Sequence, residues 1–241
     1  MTMKKLYDRK ENLFAILWIV IYCVVTIPIR GELGDESVCM LIALAAIAAA
    51  ATIFIRRYHL EAKYGLDRLP TRIHRYWYFI PMLILMTGNL WGGFRAVYSG
   101  MSQLYAVLSM LLIGYIEEVI FRGFLFKMML RQNGEKPAII VSAVTFGIGH
   151  LVNLLAGQTS LESIIQVFFA IAWGFIFTYV FHKCGSLWPC IVVHGLVDAF
   201  SKFAVESVAL EWIYMSVTIV VAIVYCLWLS KQETAPNHVT A

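Results

Sequence analysis

Long apolar stretches with charge gathered at their ends take up most of this chain, and that pattern rules out an ordinary water-soluble core. Apolar segments fall at about residues 12–29, 37–55, 76–91, 104–130, 137–155, 161–182, 186–205 and 211–229. Most match the ~20 residues a helix needs to cross a hydrocarbon layer of ~30 Å. Of 241 residues, 61% are hydrophobic and 14% charged, with a mean hydropathy of +0.76; an average soluble domain is roughly 25% charged. The expected fold is all-α, a polytopic membrane helix bundle of about eight transmembrane helices in a single membrane domain, 1–241. The segment 76–91 is the weakest, because it is short, interrupted by Pro81 and Gly88, and followed by Gly92 and Gly93. A re-entrant course there would break the count of eight.

The Lys and Arg residues test the expected topology, since short cytoplasmic loops collect positive charge. With eight spans and an inside N-terminus, the inside set is Lys4, Lys5, Arg9, Lys10, Arg56, Arg57, Lys63, Arg68, Arg72, Arg75, Lys127, Arg131, Lys136, Lys183 and Lys231, fifteen of the nineteen. Outside loops keep Arg30, Arg95 and Lys202, beside acids that include Glu32, Asp35 and Glu36. This asymmetry predicts an even number of spans with both termini cytoplasmic, in a multi-pass protein of a plasma membrane, bacterial by its compactness. It also accounts for the net charge of +4 without any nucleic-acid partner. The first span is too long, and too lacking in a small-residue cleavage site, for a removable signal peptide.

Other features have ordinary readings. The basic loop 56–75, with His59 and His74, suits contact with anionic lipid headgroups better than a ligand site. Tyr76, Trp77, Tyr78, Trp188, Trp212 and Trp228 suit an interfacial aromatic belt. The five cysteines contain no C-x-x-C pair and read as small packing residues. Asn133-Gly134-Glu135-Lys136-Pro137 reads as a helix stop, turn and restart, and Gly185-Ser186 as a second break. Gly88 and Gly92 have the small-xxx-small spacing that permits close helix packing. His182 and His238 carry no assignment, and the polar tail after Ser230 is expected to be disordered.

Six ionisable residues inside apolar stretches need a reason: Glu117, Glu118, Arg122, His150, His194 and Asp198. A charge at mid-bilayer costs at least ~2.5–3.5 kcal/mol, so such residues face the bundle interior and mark functional sites. At 1.5 Å per helical residue, Glu117 and His150 lie about 20 Å from the cytoplasmic side, Asp198 about 18 Å and His194 about 12 Å, so all fall in one slab. Glu118 and Arg122 are at i and i+4 and can pair on one helical face. Glu117 is turned by about 100° from Glu118 and is free for another neighbour. His194 and Asp198 also stand at i and i+4. Glycines at 114, 123, 147, 149 and 195 allow close helix approach or leave room beside polar atoms.

A free carboxylate near imidazoles suits water activation, with Glu117 as general base and His150 orienting the water. His194 and Asp198 could stabilise an oxyanion, Asp198 only when protonated. The alternative is zinc held by Glu117, His150 and His194, a catalytic ligand set with an open position; the residues alone do not choose. Each also has a structural reading: Glu118–Arg122 as a buried pair, the histidines as satisfied core residues. A transporter or proton-coupled channel could use the same residue types, as could a non-catalytic immunity or binding protein.

Glu117-Glu118 with Arg122, Phe146 with His150, and His194 with Asp198 resemble, in order and spacing, the E-E-x-x-x-R, F-x-x-x-H and H-x-x-x-N/D motifs of the CPBP (CAAX protease and bacteriocin-processing, Abi) intramembrane endopeptidases. The resemblance covers about 104–205, which it marks as the catalytic core. It implies an endopeptidase acting on a membrane-embedded or lipid-anchored peptide or protein: a prenylated protein, a bacteriocin or signalling-peptide precursor, or another small membrane peptide. Glu117 is then the catalytic glutamate, His150 assists the water, and His194 with residue 198 forms the oxyanion site. Asp198 stands where many members carry Asn. The family includes members described as metalloproteases and as metal-independent glutamate proteases; the metal-free reading is favoured here.

Overall fold

The computed structural model describes residues 2–70, 79–205 and 207–234. The expectations for Arg72, His74, Arg75, Tyr76, Trp77, Tyr78, His238 and the end of the tail lie outside these residues. The described chain is all-helical: α1 (Met3–Arg9), α2 (Glu11–Leu33), α3 (Val38–Arg57), α4 (Ile80–Met86), α5 (Gly100–Glu118), α6 (Lys127–Asn133), α7 (Glu135–Gly149), α8 (Ser160–Cys184), α9 (Trp188–Ser201) and α10 (Val208–Ser230). An eight-residue π-helix, Val119–Phe126, joins α5 to α6 without a break, making one 34-residue helix from Gly100 to Asn133. Short 3-10 turns, Gly88–Leu90 and His150–Ala156, extend α4 and α7.

Six of these helices are long and apolar enough to cross a membrane, which corrects the expected eight. The other two apolar segments shorten for visible reasons. α4 gives way after Met86 to a 3-10 turn at Gly88 and then to irregular backbone at Gly92 and Gly93. α9 is 14 residues, about 21 Å at 1.5 Å per residue against a ~30 Å hydrocarbon core. It stops where Lys202 arrives and the Ser201 hydroxyl turns back to the Asp198 carbonyl. Both short helices are continued by irregular chain that pairs with itself, Arg95 N–H to the Phe203 carbonyl at 2.8 Å and Val97 N–H to the Lys202 carbonyl at 3.1 Å. The stop-and-restart at Asn133–Pro137 is present, with Gly134 at φ +82°.

The two ends of the bundle differ in charge. At one end Lys63 and Arg131 converge on the buried Glu11, each at 2.5 Å, and Arg56, Arg57 and Lys183 terminate their helices. The Lys63 pairing and the fully buried Tyr64 show that part of the 56–75 loop is a packed cap, with the Gly65 carbonyl accepting from Leu187 N–H. At the other end lie Arg30, Asp35 and Lys202. Between them the core is strongly aromatic: Phe14 packs against Trp18, Phe54 and Phe124, and Phe124 meets Tyr64.

Candidate active site

Glu117 and Glu118 end α5, and the π-helix begins at the next residue. A π turn widens the backbone and is frequent at functional sites. All eight of its residues are buried, and the Phe121 carbonyl within it accepts from the Ser142 hydroxyl of α7 at 3.0 Å. In an apolar bundle such an outside donor supports a locally altered ladder. Arg122, fully buried, sits one turn beyond Glu118 and donates from Nη1 to Glu118 Oε1 at 2.8 Å, and from Nη2 to the Gly174 carbonyl at 3.3 Å. Its guanidinium also lies over the Phe146 ring, 4.3 Å from the centroid. The pairing expected from i, i+4 spacing is therefore formed.

Glu118 has a second task that the sequence did not reveal. The same Oε1 lies 2.8 Å from His194 Nδ1. Because that oxygen already accepts from Arg122, His194 Nδ1–H is the donor, which leaves Nε2 facing the other way. Nε2 stands 3.4 Å from Asp198 Oδ2 and 3.7 Å from Glu117 Oε2, the latter too long for a hydrogen bond. Arg122, Glu118 and His194 thus form a relay that fixes the ring. The imidazole is also stacked on Phe177 at 5.3 Å and edge-on to Phe146 at 5.5 Å.

Glu117 turns away from its neighbour, as helical geometry requires, and meets Tyr22 of α2. The Tyr22 hydroxyl donates to Glu117 Oε1 at 2.7 Å, while Glu117 Oε2 is buried with no hydrogen-bond partner among the described residues. Tyr22 lies in the first span, far from the motifs. A tyrosine in an apolar helix carries no signal of such a role, and the sequence reading missed it.

Glu117, His150 and Asp198 line one cavity of about 580 Å³, together with Tyr22 and Phe146. His150 packs edge-on against Phe146 at 5.3 Å, and His194 meets the same ring edge-on at 5.5 Å. The cavity continues between α2, α8 and α10 to Arg30, Asp35 and Lys202. There Asp35 accepts from Arg30 Nε at 2.8 Å and Lys202 Nζ at 3.1 Å, and Arg30 Nη1 also donates to Asn153 at 3.0 Å. Burial alone would push the Asp35 carboxyl up, but the two cations outweigh it and hold it below its ordinary value of 3.8.

The structure thus brings together all six residues singled out in the sequence: Glu117, His150 and Asp198 on the cavity wall, and His194, Glu118 and Arg122 behind it. Among the described residues no three His, Cys, Asp or Glu side chains are grouped to hold a metal ion. The set Glu117, His150 and His194 does not form a zinc site in this arrangement, and no step is assigned to a metal. Of the glycines, Gly114 lies against the α9 backbone, where a Cβ would come within 2.4 Å of Gly195 N, while one on Gly123 would meet only the Tyr64 ring at 3.7 Å.

No curated protein and no solved structure gives a significant match to the chain. Residues 99–200 match the family model described as type II CAAX prenyl endopeptidase Rce1-like. That stretch holds all six site residues, Glu117 and Glu118 on α5, Arg122 on the π-helix, His150 on the 3-10 turn after α7, and His194 and Asp198 on α9, and it is similar over those residues to the Rce1-like CAAX prenyl endopeptidase domain of the CPBP/Abi family.

Proposed function

We propose that the chain is an intramembrane endopeptidase that hydrolyses a peptide bond of a membrane-embedded or lipid-anchored peptide or protein. The observation that carries this reading is the Glu117 carboxylate on the cavity wall, with one oxygen held by Tyr22 and the other without a hydrogen-bond partner among the described residues. A water at Oε2 gives its proton to Glu117 as its oxygen bonds to the scissile carbonyl carbon. The carbonyl oxygen takes the negative charge of the tetrahedral intermediate and receives a hydrogen bond from Nε2–H of His194 in its imidazolium form, Nδ1–H staying on Glu118. Collapse breaks the C–N bond, and the proton on Glu117 passes to the leaving amine.

His150, on the wall of the same cavity as Glu117, assists in holding the water. Glu118 and Arg122 act through His194 by fixing its ring. Asp198 accepts from His194 Nε2 when ionised and donates to the oxyanion only when protonated. Residues 104–205 supply the catalytic core and α2 completes it. A membrane span count that returns the chain to its starting side keeps both termini cytoplasmic, and the plasma membrane of a bacterium suits so compact a protein.

Glu117→Gln keeps the shape of the side chain and removes the base. In purified protein reconstituted in liposomes it abolishes cleavage of membrane peptides while expression and melting temperature stay unchanged. Cleavage at the wild-type rate by this variant sinks the assignment, and Glu117-dependent proton flux without cleavage favours transport.

A further inference from the structure

One amide on the cavity wall has no place in the mechanism above. Asn89 sits in the 3-10 turn Gly88–Leu90 that follows α4, outside the family-matched residues 99–200. Its neighbours seat this turn closely. A Cβ on Gly88 would come within 2.0 Å of the Tyr214 ring of α10, so only glycine lets the backbone lie there. The Tyr214 hydroxyl donates to the Leu85 carbonyl at 2.7 Å, and Trp91 packs on the same ring at 5.4 Å. Asn89, held in this way, donates from Nδ2 to the Val197 carbonyl at 2.7 Å, one residue before Asp198. A carbonyl oxygen only accepts, so the orientation of the amide is fixed, with one Nδ2–H spent on α9. The second Nδ2–H and Oδ1 have no hydrogen-bond partner among the described residues.

The hydrolysis proposed above needs such a group. Oxyanion sites are built from preorganised donors, and loss of one costs about a hundred- to a thousandfold in kcat. His194 Nε2–H is one donor. Asp198, ionised at 3.4 Å from that nitrogen, only accepts. The other amides on the wall are engaged away from α9. Asn153 and Gln166 join at 2.9 Å at the mouth, where Asn153 also accepts from Arg30, and Gln158 accepts from Ser163 at 3.4 Å. We propose that Asn89 is a further catalytic residue, whose second Nδ2–H donates to the scissile carbonyl oxygen and supplies the donor that Asp198 does not. This rests on the protease reading. It also gives the short α4 a use, since the turn that ends it carries an amide to the flank of α9. The hydrogen bond tightens as the water oxygen adds to the carbonyl carbon and loosens as the C–N bond breaks, so no proton changes hands at Asn89.

Purified variants in liposomes, assayed with a quenched fluorescent peptide anchored by a prenyl group, test the assignment. Asn89→Ala is expected to lower kcat about a hundredfold with KM within about twofold, and to lower the melting temperature by about 2–4 °C for the lost bond to Val197. The deciding measurement repeats the substitution in an Asp198→Asn background, where residue 198 offers an amide donor of its own. There Asn89→Ala costs less than about tenfold, because one amide stands in for the other. An equal loss in both backgrounds overturns the inference and leaves Asn89 as a strut between the turn and α9. So does a loss confined to KM. Should Asn89→Ala fail to fold, Asn89→Ser replaces it in both backgrounds: its one hydroxyl proton serves Val197 and none is left for the oxyanion. Absence of Glu117-dependent cleavage in the unsubstituted protein is a different result, which removes the protease reading and this inference with it.

Discussion

The two oxygens of the Glu117 carboxylate have unequal surroundings, and the inequality is set from outside residues 99–200. Oε1 accepts from Tyr22 at 2.7 Å, while Oε2 has no hydrogen-bond partner among the described residues. A carboxylate held at one oxygen presents the other in a fixed direction, and misplacement of a reacting group by about 1 Å can cost about a hundredfold. Tyr22→Phe is therefore expected to lower kcat by about ten- to a hundredfold with KM within about twofold. Its melting temperature should change little, because one hydrogen bond is worth only ~0.5–1.5 kcal/mol net. A fall in thermal stability with kcat unchanged would reduce Tyr22 to a packing role. At this scale the motif residues were legible because buried charge in an apolar chain is costly and so conspicuous. Tyr22 was not, since an aromatic ring with one hydroxyl costs nothing unusual there. The i, i+4 rule found the Glu118–Arg122 pair; that the same carboxylate also orients His194, 76 residues on, is a long-range contact on which sequence spacing is silent.

Among the elements, the positions of the long helices follow from hydropathy alone, because a lipid-facing or buried helix is apolar on every side. The length of α9 does not. Residues 186–205 are uniformly apolar enough to suggest a full span, yet the helix stops at Ser201, where chain from 93–98 comes in to pair with it. The π-helix was equally hidden, since its eight residues have no composition that sets them apart from an α-helix. What the sequence did mark was glycine at the contact of α5 with α9. Gly114 faces the Gly195 backbone with no space for a Cβ, whereas Gly123 has ordinary contact distance to a side chain. Gly114→Ala is expected to push α9 off α5 and draw His194 away from Glu118. The cost is about 1–3 kcal/mol of stability, the range for overpacking, together with a loss of activity of tenfold or more. Gly123→Ala should retain both. Equal behaviour of the two variants in melting and cleavage assays would mean that the α5–α9 approach does not set the site.

For the molecule as a whole, α2 and α10 line the cavity from outside the family-matched stretch, so something must hold such elements to it. Asp35 does so at the mouth: it joins Arg30 at the end of α2 to Lys202 after α9, and Arg30 in turn reaches Asn153. One carboxylate thus ties three separated segments around the rim. Its side chain is mostly buried, at 18% exposure, and its neighbouring cations hold it below its ordinary 3.8 despite burial. A group whose folded value is depressed adds stability that is fully present above its unfolded value and is lost as the pH falls through the folded one. The tie is therefore intact at neutral pH and weakens only below about pH 4. Asp35→Asn should lower the melting temperature of the detergent-solubilised protein by about 2–4 °C near pH 7, the shift expected of ~1 kcal/mol in a chain of this size. The difference between variant and wild type should shrink as the pH is taken from 5 toward 3, since protonation removes from the wild type the charge that the variant already lacks. A gap that stays constant over that range would show that Asp35 acts at the rim through shape and hydrogen bonding, with its charge contributing nothing.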